Sequence, residues 1–307
     1  MIGRDPRLIV TVADDEFHPP TSDAASWIET MWFPFWVPEE QLTISVRVWF
    51  SPNAGKQGGA VSGWRGSSIG LFGERWTEDY DGPPALDDLQ LARGLKIQCV
   101  EPLQKYRIEH RSEQVELDIS FDAIMEPNPV PPEESPGMFS GHLEQPGRVT
   151  GEVRTRDRVL PVDCYSIRDR SWGPREMPAA LRLGNAYGTA EEFGFFAYVN
   201  PAPDGTELVT SGYLLRNGLA AKIVSGCRET QWRDDVPEAV SLTATDAAGR
   251  LLSVSGECVN AMASNAGNGV YALLNLVRWQ HAGGVAWGEN HDVWSETMWL
   301  AAGRPSL

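Results

Sequence analysis

Basic residues are scarce in this 307-residue chain: 26 Lys and Arg face 42 Asp and Glu, a net charge of −16 at neutral pH. Phosphate backbones are held by clustered Lys and Arg, so nucleic acid is excluded as the main partner. No apolar run approaches the roughly eighteen residues that a membrane-spanning helix needs, so no integral membrane segment is expected. Arg4, Asp5 and Arg7 interrupt the start of the chain, and no apolar stretch leading to a small-residue cleavage site follows, so a secretory signal is not expected. Cysteine is sparse: Cys99, Cys164, Cys227 and Cys258 lie far apart and form no C-x-x-C pair. Scattered thiols of this kind read as reduced, buried small hydrophobes in a cytoplasmic protein. The glycine-rich phosphate-binding motifs are missing too, and no cofactor is expected.

What the chain does have is turns and indoles, with 30 Gly, 22 Pro and 12 Trp. Period-two apolar segments bounded by turn residues recur throughout, while helix-period stripes are rare. Strands are predicted at 42–50, 95–100, 105–110, 115–124, 148–155 and 159–164. They resume at 193–199, 207–215, 241–245, 251–258, 270–277 and 293–300, with Asn217-Gly218 as a strong hairpin signal. Helix is expected only at 86–93 and near Ala179. This spacing predicts an all-β protein of two successive antiparallel barrels or sandwiches.

One hexapeptide echo, residues 27–32 (WIETMW) against 294–299 (WSETMW), is open to two readings, a trace of duplication or a chance match. The proline- and glutamate-rich stretch 126–141 reads as a solvated loop, with a lid over a pocket as the rival reading.

The densest candidate for chemistry is Arg168-Asp169-Arg170-Ser171-Trp172-Gly173-Pro174-Arg175. An acid among arginines is normally ionised, which favours a salt-bridge knot. The alternative places Asp169 as a proton donor with the Trp172 face steadying positive charge. The second cluster is Trp287-Gly288-Glu289-Asn290-His291-Asp292. In a strand Glu289 and His291 share a face and could act as an acid/base pair. A third ligand at a convincing spacing is lacking, so no metal is expected. His18, His110, His142 and His281 each read as isolated histidines. Ser68, in Gly66-Ser67-Ser68-Ile69-Gly70, matches the hydrolase elbow in letters but lacks the strand-to-helix context that makes it a nucleophile. The set of Trp residues reads either as core filling or as the lining of a large apolar pocket.

Asp169-Arg170-Ser171-Trp172-Gly173, preceded by Gln145-Pro146-Gly147-Arg148-Val149-Thr150-Gly151 and a hairpin, resembles the Asp-His-x-Trp-Gly signature of the AttH-like superfamily, which includes hydroxyneurosporene synthase, a carotenoid hydratase. Residues 94–102 followed by Tyr106-Arg107 are similar to the first domain of uncharacterised bacterial members of that group. The resemblance implies two tandem lipocalin-like barrels, 1–162 and 163–307, and a lipophilic small-molecule ligand. It implies catalytic roles for Asp169 as acid and Trp172 as its aromatic partner, placed where the barrels join. Arg170 stands where the family has His, and a guanidinium cannot shuttle protons near neutrality. The expected function is cofactor-independent proton transfer, as a lyase or isomerase, on an isoprenoid, steroid or polycyclic molecule; the alternative is a lipocalin-like carrier of such a ligand. Glu289 and His291 are the expected second polar groups, and Arg170, Arg175, Trp64, Tyr165 and Trp287 the expected ligand-binding side chains.

Overall fold

The computed structural model describes residues 10–66, 69–132, 138–176, 178–267 and 269–304. About 67% of the chain is strand, and every strand pair whose register is defined among the described residues is antiparallel. The expected all-β, tandem lipocalin-like class is the observed one. Two compact units form: one of residues 1–63 and 70–176, the other of residues 64–69 and 177–307.

The first unit is a curled sheet of eleven strands. Its central strands are β1 (Trp27–Val37), β2 (Leu42–Ser51), β10 (Gly141–Thr155) and β11 (Val159–Pro174). Outside β2 lie β3 (Lys56–Arg65) and β4 (Ile69–Asp79); outside β10 lie β8 (Val115–Ala123), β7 (Lys105–Arg111), β6 (Lys96–Glu101) and the two-residue β5 (Leu89–Gln90). A short β9 (Asn128–Pro129) pairs with the start of β10. Among the described residues no ladder joins β4 to β5, so this sheet curls without closing. One face carries the core, with Phe33, Ile44, Val46, Val48, Ile108, Ile119, Phe121 and Val149 fully buried.

The second unit is a closed eight-stranded barrel. Its circuit runs β17 (Leu251–Cys258), β16 (Val236–Asp246), β15 (Leu219–Arg233), β14 (Glu207–Arg216), β13 (Phe193–Pro201), β12 (Arg182–Ala190), β20 (Gly284–Ser295) and β19 (Val270–His281), and a β17–β19 ladder closes it. β18 (Met262–Gly267) flanks β19. Phe195, Leu214, Leu242, Val254, Val277 and Trp279 fill the interior. Asn217 and Gly218 both take positive φ (52° and 73°), the geometry of a two-residue hairpin, as their sequence predicts.

Several expectations need correction. Residues 86–93 are not helical; they hold β5 and lead into a 3-10 turn, because Leu89 pairs with Ile97 and is buried as a strand residue. The stretch near Ala179 is a turn. The predicted strand 293–300 stops at Ser295, whose hydroxyl caps the short helix α1 (Glu296–Ala301) at Met298 N. The hexapeptide echo therefore places one copy in β1 and the other across the β20–α1 boundary, so the two copies are not one repeated element. The expected division at 162/163 falls inside β11, and the first unit ends at Glu176. β10 begins seven residues before its predicted start. Pro146 sits within it opposite the end of β8, where its carbonyl accepts from Ile124 N and a missing N–H interrupts no ladder pair. Ser67, Ser68 and residues 133–137 of the expected loop lie outside the described residues; Asn128 and Pro129 of that loop are strand.

Candidate functional site

Strand alternation decides which side chains meet. β11 runs between β1 and β10, and its register puts Trp32, Asp169 and Glu144 directly opposite one another on neighbouring strands; Arg47 of β2 is opposite Trp32, and Asn128 of β9 opposite Glu144. Residues opposite one another in an antiparallel pair point to the same face. Arg47, Trp32, Asp169, Glu144 and Asn128 thus form one row on the face away from the core. His142, two residues before Glu144, shares that face.

The row is tied together by one ring nitrogen. His142 Nε2 lies 2.8 Å from Glu144 Oε1 and 3.3 Å from Asp169 Oδ2. Glu144 and His142 are buried, whereas Asp169 is 19% exposed. Burial alone would push the imidazole towards its neutral form; the Glu144 charge and the hydrogen bonds to Asp169 and Glu144 outweigh it and raise the His142 pKa to about 9. His142 is therefore an imidazolium at neutral pH, set between two carboxylates. Phe139 meets its ring edge-on, with centroids 4.5 Å apart.

The flanks of the row are cationic. Arg175 donates to Ser171 Oγ at 2.8 Å and to the Met138 carbonyl, and its guanidinium lies 5.7 Å from the Phe139 centroid. Thr30 and Ser171 hydroxyls are 2.9 Å apart. On the other flank Trp32 donates its indole N–H to Ser45 Oγ at 2.8 Å. Arg47 is half-buried: burial lowers its pKa, the Asp169 charge raises it and the Arg75 charge lowers it further. Arg75 in turn lies 5.2 Å from the Trp49 ring centroid.

The geometry separates Asp169 from the chain neighbours that both sequence readings gave it. Alternation turns Arg168, Arg170 and Trp172 to the core face, so the adjacent arginines do not hold Asp169 and Trp172 does not stand beside it. Arg168 donates to Gln145 Oε1 (2.6 Å) and Asp15 Oδ1 (3.0 Å) and lies 4.3 Å from the Tyr106 ring centroid. Burial would raise the Asp15 pKa, but the Arg168 charge and hydrogen bonds from Tyr106 and Leu103 N–H keep it below the usual carboxylate range. Arg170 binds Glu29 through Nε and Nη2 (3.1 and 2.6 Å). His18 joins Glu29 at 3.0 Å and stacks on Trp172 with centroids 3.6 Å apart. Gly141 makes room for that indole, since a Cβ there would lie 2.3 Å from it. Arg170 is thus bound to Glu29 and to the backbone on the core face.

Tyr165 is on the Asp169 face, but four residues along the strand, about 13 Å away. Glu289, His291 and Trp287 share a face of β20, as expected. Glu289 is fully buried, accepts from the Tyr187 hydroxyl and lies 3.0 Å from His291 Nε2. Trp287 is half-buried opposite Arg278, and Trp64 is wholly buried and grouped with the second unit. An open cleft of about 290 Å³ in the first unit, with Gln57, Asp81, Pro84, Asp88 and Gln90 on its walls, contains none of the tryptophans.

His142, Glu144 and Asp169 bring three donor atoms within 4.8 Å of one another, the spacing of a metal site. The same two carboxylates also stabilise a proton on His142, and a metal bound there would displace it. His142 and Glu144 escape the sequence reading because the predicted strand begins only at Arg148, beyond Pro146-Gly147. Had β10 been extended through that pair, His142-Leu143-Glu144 would have shown an acid and a base two apart on one strand face.

The DUF7064 profile, a domain of unknown function, matches residues 11–299. The chain belongs to the DUF7064 family. No curated protein matches it in sequence. Solved structures do resemble the DUF7064 chain in fold. A putative AttH from Nitrosomonas europaea is 13% identical with a TM-score of 0.63, over 88% of this chain and 93% of that one. Kievitone hydratase from Nectria haematococca is 12% identical with a TM-score of 0.57, over 94% of each chain. CghA, solved with Sch210972, is 11% identical with a TM-score of 0.61, over 88% of this chain and 89% of that one. The AttH-like resemblance read from the motif therefore holds at the level of fold.

Proposed function

We propose that the DUF7064 chain is a cofactor-independent proton-transfer enzyme, of hydratase, isomerase or cyclase type, acting on a hydrophobic small molecule at Asp169. The observation that carries this reading is the single His142 ring nitrogen shared by the buried Glu144 and the partly exposed Asp169. Asp169 is the member that meets a substrate. As an acid it passes a proton to a substrate carbon while His142 Nε2–H supplies the next one to Oδ2; as a base it runs the same sequence backwards. Glu144 compensates the imidazolium and keeps its N–H directed at the carboxylates. A fold shared with a protein named as a hydratase supports the reaction type.

Solvent deuterium tests it. Wild-type protein is incubated in D₂O with a panel of lipophilic alkenes and unsaturated ketones, and carbon-bound deuterium is followed by mass spectrometry. Asp169→Asn keeps the shape and removes the exchangeable proton, so incorporation should fall by the roughly hundredfold or more expected of a general acid. Saturable binding with no incorporation by the wild type would leave a carrier instead.

A further inference from the structure

The charges around Asp169 discriminate between reaction classes. Protonation of an isolated alkene builds a carbocation, which needs anions or π-faces nearby. Removal of a proton next to a carbonyl builds an oxyanion, which needs cations and N–H donors. The chain as a whole carries −16, yet among the described residues Arg47 stands in the row with Asp169, and Arg175 and the protonated His142 lie beside it. The indole expected to steady a cation, Trp172, is on the other face, stacked on His18, and the indole beside Asp169, Trp32, stands next to Arg47 in the row, so a cation over it would meet the guanidinium charge.

Arg47 is the cation whose placement matters most. It stands two strands from Asp169 in the same row, about 10 Å between backbones, with Trp32 between them. Among the described residues it donates no hydrogen bond, although burial already works against its charge. A half-buried guanidinium whose N–H donors meet no protein acceptor among the described residues can give all of them to an arriving oxyanion. The side chains in the row give a planar molecule a floor at Trp32, a proton-transfer group at one end and an oxyanion receptor at the other.

Resting on the proton-transfer reading above, we infer that the substrate is a conjugated or β,γ-unsaturated carbonyl compound, and that Arg47 is the catalytic residue that receives its enolate oxygen. For double-bond migration the balance is complete without a co-reactant. The Asp169 carboxylate takes a proton from the carbon between carbonyl and alkene; the C–H pair passes into the dienolate, and the charge settles on the oxygen facing Arg47. The Asp169 carboxyl then returns that proton to the γ-carbon, the carbonyl re-forms, and the alkene ends in conjugation with it.

Three nitrophenyl probes of different charge test the inference on the full chain, titrated by absorbance at a pH where the phenol is ionised: 4-nitrophenolate, neutral 4-nitroanisole and the trimethyl(4-nitrophenyl)ammonium cation. The anion should bind about tenfold or more tightly than the ether, the worth of one charge-assisted hydrogen bond, and the cation most weakly. Arg47→Met should erase the preference for the anion, and Arg47→Lys should restore part of it in a protein whose circular dichroism matches the wild type. Asp169→Asn should strengthen anion binding, because it removes a repelling charge. A tighter cation, an anion bound no better than the ether, or a preference unchanged in Arg47→Met would overturn the inference. Deuterium incorporation into an isolated alkene without any anion preference would retain proton transfer at Asp169 and discard the carbonyl substrate. Anion preference lost in Arg47→Met, with no incorporation into any compound, would discard proton transfer and retain an oxyanion-binding site.

Discussion

The two units each carry a histidine and a glutamate two residues apart on a strand, and they use the pair differently. On β10 of the open sheet, His142 and Glu144 meet Asp169 from β11, a carboxylate with 19% of its side chain exposed. On β20 of the closed barrel, Glu289 and His291 meet the Tyr187 hydroxyl from β12, and both Glu289 and Tyr187 are buried to 0% exposure. The local pattern is the same, and the neighbouring strand decides the chemistry. A second carboxylate that is partly exposed opens the first pair to solvent; a buried phenol that donates its hydroxyl to Glu289 closes off the second.

The largest expected effect separates the two pairs by turnover. Asp169→Asn should cut deuterium incorporation about a hundredfold or more, while Glu289→Gln should cost no more than about tenfold, well below a general acid's share. Equal losses would put both pairs in the chemistry and end the contrast.

Stability should reverse the order. Glu289→Leu leaves the Tyr187 hydroxyl and the His291 ring without their shared buried acceptor, and urea denaturation should show a loss of about 2–3 kcal/mol. Asp169→Asn, at a partly exposed position that can still accept a hydrogen bond, should lose less than about 1 kcal/mol.

The pH dependence of stability should follow the first pair. His142 in the folded chain has a pKa raised to about 9, above the value of about 6.5 in the unfolded chain. Its stabilisation is thus complete below pH 6.5 and is lost as pH rises through 9, where the folded state must release the proton. Melting temperature should decline across that window, and His142→Gln should flatten the decline. An equal decline in His142→Gln would place its cause elsewhere.

The smallest effect concerns Trp172. Since it stacks on His18 away from Asp169, Trp172→Phe should change deuterium incorporation by no more than about twofold, a factor far below any catalytic loss. A hundredfold loss would mean that the indole acts on the substrate after all.

The fold class was legible because alternation is a local property: residues 42–50, 193–199 and 251–258 can bury one face only as strands. β1 and β12 were not legible. β1 reads WIETMWFPFWV, apolar on both faces, and Arg182–Ala190 is built of small residues with little alternation. The candidate site was half legible. Asp169 was found through its motif, and Glu289 with His291 through their spacing, but the partners assigned to Asp169 were its chain neighbours.

By itself the sequence determined the antiparallel all-β architecture, the acidic surface charge and the two faces of β11, since a period of two sends Asp169 one way and Arg168, Arg170 and Trp172 the other. Tertiary structure decided what each face meets. Register set Glu144 and Trp32 opposite Asp169 from strands 25 and 137 residues earlier in the chain, and carried Asp15 and Glu29 to the arginines. The β10–β11 hairpin fixes the Glu144 register through its turn, whereas the pairing of β1 with β11 follows from the burial of the sheet's core face, and no local pattern encodes that pairing.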